Sequence, residues 1–122
     1  MPEQHFILLY VDHPERSAAF YAGLLAREPL EVSATFAMFA LGEGVMLGLW
    51  SRHTVLPAAQ QAPGSGELAF AMSSDAVVHQ RYEAWSKLGV TMLQAPTRLD
   101  FGETFLAQDL DGNRLRVFAP AG

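Results

Sequence analysis

Cysteine is absent from this chain. That one absence excludes disulfides, thiolate nucleophiles and zinc–thiolate sites together. A chain without disulfides suits a reducing compartment, and a cytoplasmic location is expected. Positive charge is also scarce: 8 Lys and Arg stand against 13 Asp and Glu, for a net charge of -5. A nucleic-acid partner requires a basic face, so none is expected. No run of like charge marks a membrane-surface segment, and no apolar run approaches the ~18 residues of a membrane span. No membrane partner is expected either. The opening Met1-Pro2-Glu3-Gln4-His5 lacks the basic and apolar regions of a secretory signal.

What is there suffices for a core. Half of the 122 residues are hydrophobic and 17% are charged, a globular composition. The length fits a single domain, residues 1–122. Its elements come in one order, twice. Phe6 to Val11 is a short apolar run rich in aromatic and branched residues, read as a buried strand. Asp12 offers an N-cap and Pro14 suits a first helical turn. Phe20, Tyr21, Leu24 and Leu25 then share a helix face, and Pro29 ends any continuation. A short strand over 30–33 follows. Thr35–Leu41 and Val45–Ser51 make a hairpin across Gly42-Glu43-Gly44.

The second half repeats this. Leu68–Met72 reads as a strand, and Ser74-Asp75 caps a helix with Val78, Tyr82, Trp85 and Gly89 on one stripe, Gly89 also serving as its C-terminal cap. Val90–Gln94 is a strand expected to stop at Pro96. Glu103–Gln108 and Arg114–Ala119 form the second hairpin across Asp109-Leu110-Asp111-Gly112. The excess of the second copy lies around 97–102, read as a loop whose Gly102 lets it act as a flap. The expected fold class is therefore α+β: two tandem βαβββ modules with pseudo-two-fold symmetry, whose curved mixed sheets enclose a cleft. Module 1 is 1–51, a linker rich in Ala, Gln, Pro, Gly and Ser is 52–66, and module 2 is 67–122.

Two stretches carry a resemblance. Val11-Asp12-His13-Pro14-Glu15-Arg16-Ser17-Ala18-Ala19-Phe20-Tyr21 is similar to the opening of the vicinal oxygen chelate superfamily, and Asp109-x-Asp111-Gly112-Asn113-x-Leu115 to its closing motif. That superfamily includes glyoxalase I, extradiol dioxygenases and bleomycin resistance proteins. Phe36-Ala37-Met38-Phe39-Ala40-Leu41 with Leu47-Gly48-Leu49-Trp50-Ser51-Arg52 resembles its phenazine antibiotic resistance branch. The resemblance implies four metal-ligand positions, which here carry Phe6, Gly48, Glu67 and Arg116. Strand alternation turns His5 to the opposite face from Phe6. One carboxylate beside an arginine is a poor donor set for a transition metal, so no metal and no cofactor are expected. His13, His53 and His79 show no paired ligand spacing and read as solvent-facing or packing residues. Glu67 and Arg116 read as a charge pair at the cleft floor, with the alternative that either hydrogen-bonds a ligand's polar edge, and Phe6 reads as a ligand-lining ring.

A cleft without a metal is expected to bind by shape and stacking. Met46, Gly48 and Trp50 share a face, and Gly48 leaves room for a flat group. Tyr10, Phe39, Phe101, Phe105 and Phe118 are further candidate lining residues, although core packing is the ordinary reading of any one ring. Trp50 stands out because it ends a strand just before the polar Ser51-Arg52-His53. The expectation is a metal-free, non-catalytic protein that sequesters a planar aromatic small molecule such as an antibiotic, as a homodimer. The alternative is a metal-dependent lyase or dioxygenase with atypical ligands.

Overall fold

A computed structural model describes residues 3–121. Met1 and Pro2, part of the segment read for a secretory signal, and Gly122 lie outside the described residues. The chain divides between Pro63 and Gly64 into two compact units. Among the described residues, no helix is long and apolar enough to cross a membrane.

In the first unit, β1 (His5–Val11) is followed by α1 (Pro14–Leu25), β2 (Glu31–Val32), β3 (Phe36–Gly42) and β4 (Val45–Ser51). The sheet order is β1-β4-β3-β2, with β1 parallel to β4 and the other neighbours antiparallel. The helix between β1 and β2 supplies the crossover that a parallel pair requires. One side of this sheet packs on α1. Leu9, Val11, Ala37, Phe39, Leu47 and Leu49 are buried there, against Ala18, Tyr21 and Leu24 of the helix. Each large apolar side chain buried in this way contributes roughly 1.5–3 kcal/mol.

The second unit repeats the plan with β5 (Glu67–Ala71), α2 (Asp75–Lys87), β6 (Thr91–Leu99), β7 (Gly102–Gln108) and β8 (Arg114–Pro120). Its order is β5-β8-β7-β6, again with the first pair parallel. Its core joins Val78 and Trp85 of the helix to Phe105, Leu115 and Val117. Trp85 meets Phe105 and Phe70 edge to face, at 5.4 and 6.1 Å between ring centroids.

The α+β class and the two βαβββ orders are as the sequence suggests; four local readings need correction. His13, not Asp12, is the N-cap of α1, and Asp12 turns its carboxylate to other partners. The buried face of α1 is Pro14, Ser17, Ala18, Tyr21 and Leu24, so small residues set the close approach while Phe20 and Leu25 stay half-buried. Strand β6 does not stop at Pro96 but runs through it to Leu99. Proline is tolerated because β6 is an edge strand, and a register shift between Gln94 and Thr97, which spans it, absorbs the irregularity. Residues 97–102 are consequently strand and tight turn rather than a flap. Gly102 is no hinge: at φ 139 its Cα lies so close to strand β8 that an added Cβ would meet the Ala119 carbonyl oxygen at 1.9 Å.

Helix α2 begins as expected. The Ser74 hydroxyl accepts from the Val77 N–H, and Gly89 follows the last turn at φ 81. Gly89 is exposed and lies beyond the helix, a C-terminal stop rather than part of the buried stripe. The closing turn explains its own sequence. Buried Asp109 accepts from the N–H groups of Asp111 and Asn113 at 2.9 and 2.8 Å and from Asn113 Nδ2 at 3.0 Å. Asn113 Oδ1 in turn accepts from the Gly66 N–H. The motif's acid and amide are thus consumed in holding the β7–β8 turn.

Candidate functional site

Each sheet has a second face, away from its helix, set by strand alternation. In the first unit the register pairs Phe6 with Met46, Leu8 with Gly48 and Tyr10 with Trp50, so these six share that face. Across β4 the same rows continue to Ala40, Met38 and Phe36, and Glu31 of β2 lies beside Met38. This face holds a pocket of about 490 Å³ lined by Phe6, Leu8, Glu31, Phe36 and Trp50. Trp50 stands between two rings, perpendicular to both: Tyr10 at 6.5 Å and 78°, Phe36 at 6.2 Å and 88°. Edge-to-face packing of this kind fixes the rings before any ligand arrives.

Gly48 plays a different part from the one its missing side chain suggests. The space above it is already filled. An added Cβ would meet Leu8 Cδ2 at 2.6 Å and Phe36 Cζ at 2.9 Å. The glycine lets Leu8 and Phe36 lean over the sheet from either side and form pocket wall, rather than leaving an open slot.

The corresponding face of the second unit is polar. Arg116 Nε donates to Glu67 Oε2 at 2.9 Å, and its Nη1 donates to Thr104 Oγ1 at 3.3 Å. Thr104, fully buried, donates in turn to the Val117 carbonyl at 2.9 Å. The guanidinium lies 5.8 Å from the Phe101 ring centroid, and Phe101 packs edge to face on Phe118. The expected charge pair therefore exists, and it is braced by a hydroxyl and an aromatic face.

Of the residues singled out from sequence, Phe6, Tyr10, Gly48 and Trp50 come together in the first unit, and Glu67, Phe101, Arg116 and Phe118 in the second. Phe39 and Phe105 do not belong with either group. Both are fully buried on the helix side, Phe39 against Tyr21 and Phe105 against Tyr82 and Trp85. They are odd-register neighbours of the open-face residues, and the pleat sends them the other way. Three lining residues were missed. Leu8 is in step with Phe6, and Phe36 with Met38, so both were legible by alternation. Glu31 was not, because its facing depends on which β3 residue it opposes.

The sequence matches the Glyoxalase/Bleomycin resistance protein/Dioxygenase superfamily over residues 3–117. The chain belongs to this superfamily. It is 28% identical over 113 residues to the phenazine antibiotic resistance protein EhpR of Enterobacter agglomerans, covering 90% of this chain and 86% of that one. Among solved structures, a protein of Agrobacterium tumefaciens determined by solution NMR is 50% identical, with a TM-score of 0.86 and full coverage of both chains. A glyoxalase/bleomycin resistance protein/dioxygenase from Nocardioides superposes with a TM-score of 0.80 at 24% identity, over 98% of this chain and 84% of the other, a likeness of fold.

At the four positions that the superfamily resemblance assigns to metal ligands, the side chains are a phenyl ring, none, a carboxylate and a guanidinium. Only Glu67 offers a donor, and Arg116 already occupies it. This set does not fit a divalent metal. Elsewhere among the described residues, no group of three or more His, Asp or Glu is arranged to hold one. The histidines outside β1 serve carboxylates instead. His79 Nε2 lies 2.8 Å from Glu103. His53 and His13 both reach Asp12, at 2.7 and 3.1 Å, with Arg52 at 3.7 Å. The hydrogen bond from His53 holds the Asp12 carboxyl below its ordinary range; desolvation, the next largest effect, opposes it, and the charges of His13, His53 and Arg52 each lower it by less.

Proposed function

We propose that this chain binds a planar aromatic small molecule by stacking, without a metal and without chemical turnover, and that sequestration of an antibiotic is the resulting function. The observation that carries this reading is the pocket on the open face of the first unit. Its volume of about 490 Å³ falls in the range of small-molecule sites, roughly 300–1,000 Å³. Four of its five lining residues are apolar, and three of these carry aromatic rings. The Phe36 and Trp50 rings are held against one another, so little of their side-chain freedom is lost on binding. The similarity to a phenazine antibiotic resistance protein supports the same ligand class. The donor chemistry at the four inherited ligand positions supports metal independence.

The test is calorimetric titration with phenazine. Wild-type protein is expected to bind with one site per chain. Trp50→Ala is expected to weaken binding about tenfold, the loss of one well-placed ring contact of roughly 1.4 kcal/mol. Trp50→Phe should retain most of the affinity. Equal binding by wild type and Trp50→Ala would remove the pocket from consideration. We further propose that the chain works as a homodimer, since β1, an edge strand, leaves Phe6 and Ile7 49% and 38% exposed.

A further inference from the structure

Glu31 is an unusual wall for an aromatic pocket. It is the one ionisable side chain among the five that line it, the others being Phe6, Leu8, Phe36 and Trp50. It sits on the two-residue strand β2, opposite Met38, where the sheet register aims it to the pocket side. Among the described residues no ion pair or side-chain hydrogen bond engages it. Glu67, on the open face of the second unit, shows the contrast: its charge is answered by Arg116. A flat neutral ligand lying in the pocket would cover a carboxylate and give it nothing in return, which is unfavourable. A ligand carrying positive charge gives the carboxylate a partner and also meets ring faces, whose quadrupoles attract cations.

We propose that the pocket selects positively charged planar aromatics: heteroaromatic cations with a quaternised or protonated ring nitrogen, or rings bearing an ammonium group. The positive centre lies at Glu31 and the ring system against Trp50 and Phe36. This rests on the aromatic pocket reading above and adds to it the sign of the ligand's charge.

Two probes separate the claims: neutral phenazine and N-methylphenazinium, which has nearly the same shape and a permanent charge. Calorimetry in the dark on wild type, Glu31→Gln and Glu43→Gln gives the comparison. Glu43 lies in the β3–β4 turn and does not line the pocket, so its variant changes net charge equally and reports general attraction to an acidic protein. Wild type is expected to prefer the cation by about tenfold, Glu43→Gln to keep that ratio, and Glu31→Gln to bring it to about one by weakening the cation and not phenazine, whose binding stays level or tightens. Phenazine binding without preference for the cation, or a preference unchanged in Glu31→Gln, would overturn the charge assignment alone. Failure of both probes to bind folded wild-type protein would overturn it together with the pocket.

Discussion

Asp12 gathers two imidazoles and a guanidinium at the end of β1, although the sequence suggests only a helix cap. Its carboxyl titrates below its ordinary range, chiefly through His53. The sign follows from linkage. A carboxyl depressed in the folded state contributes stability that is present above its unfolded value, about pH 4, and that contribution is lost as pH falls through the folded value. In a carbon NMR titration, His53→Ala should move the Asp12 midpoint upward, and by more than Arg52→Ala does. An unchanged midpoint would mean that the His53 contact does not persist in solution. The same cluster shows why single histidines were hard to place from sequence. His53 is 41 residues from Asp12, and only the parallel pairing of β1 with β4 brings them together.

At the scale of elements, the β7–β8 turn is the test of what a motif is for. Asp109 binds three N–H groups from a buried position. Asp109→Ala would strand the Asp111 and Asn113 amides and is expected to cost roughly 2–3 kcal/mol. Urea denaturation measures it; a loss below about 0.5 kcal/mol would show that the turn holds without its acid. The order of elements was legible because each repeat alternates a period of two with a period near four, and because Ser74, Gly89 and Gly44 punctuate it. The extent of β6 was not, since Pro96 is a stop signal anywhere but at a sheet edge, and edges are a property of the assembled sheet. Site residues divide in the same way. Trp50, Tyr10, Phe6 and Gly48 follow from alternation within β1 and β4. Phe39 and Phe105 were aromatic for the core's sake. Glu31 awaited the β2–β3 register.

The molecule as a whole consists of two copies of one plan with unlike open faces: an aromatic one with a single free carboxylate, and one centred on a braced ion pair. The duplicated plan has thus kept its framework while its side chains diverged. Sedimentation equilibrium at tens of micromolar should give twice the 13.3 kDa chain mass; a single species at 13.3 kDa up to millimolar concentration would remove the dimer. Strand β6 bears on a different kind of association. Its backbone carries Pro96, which has no N–H to donate, and two shifts of register against β7. A growing β-aggregate needs an even ladder of donors to template the next chain, and this edge presents a broken one. The irregularity that hid β6 in the sequence therefore also guards the protein, while it is being made and whenever it partly opens, against adding strands without limit.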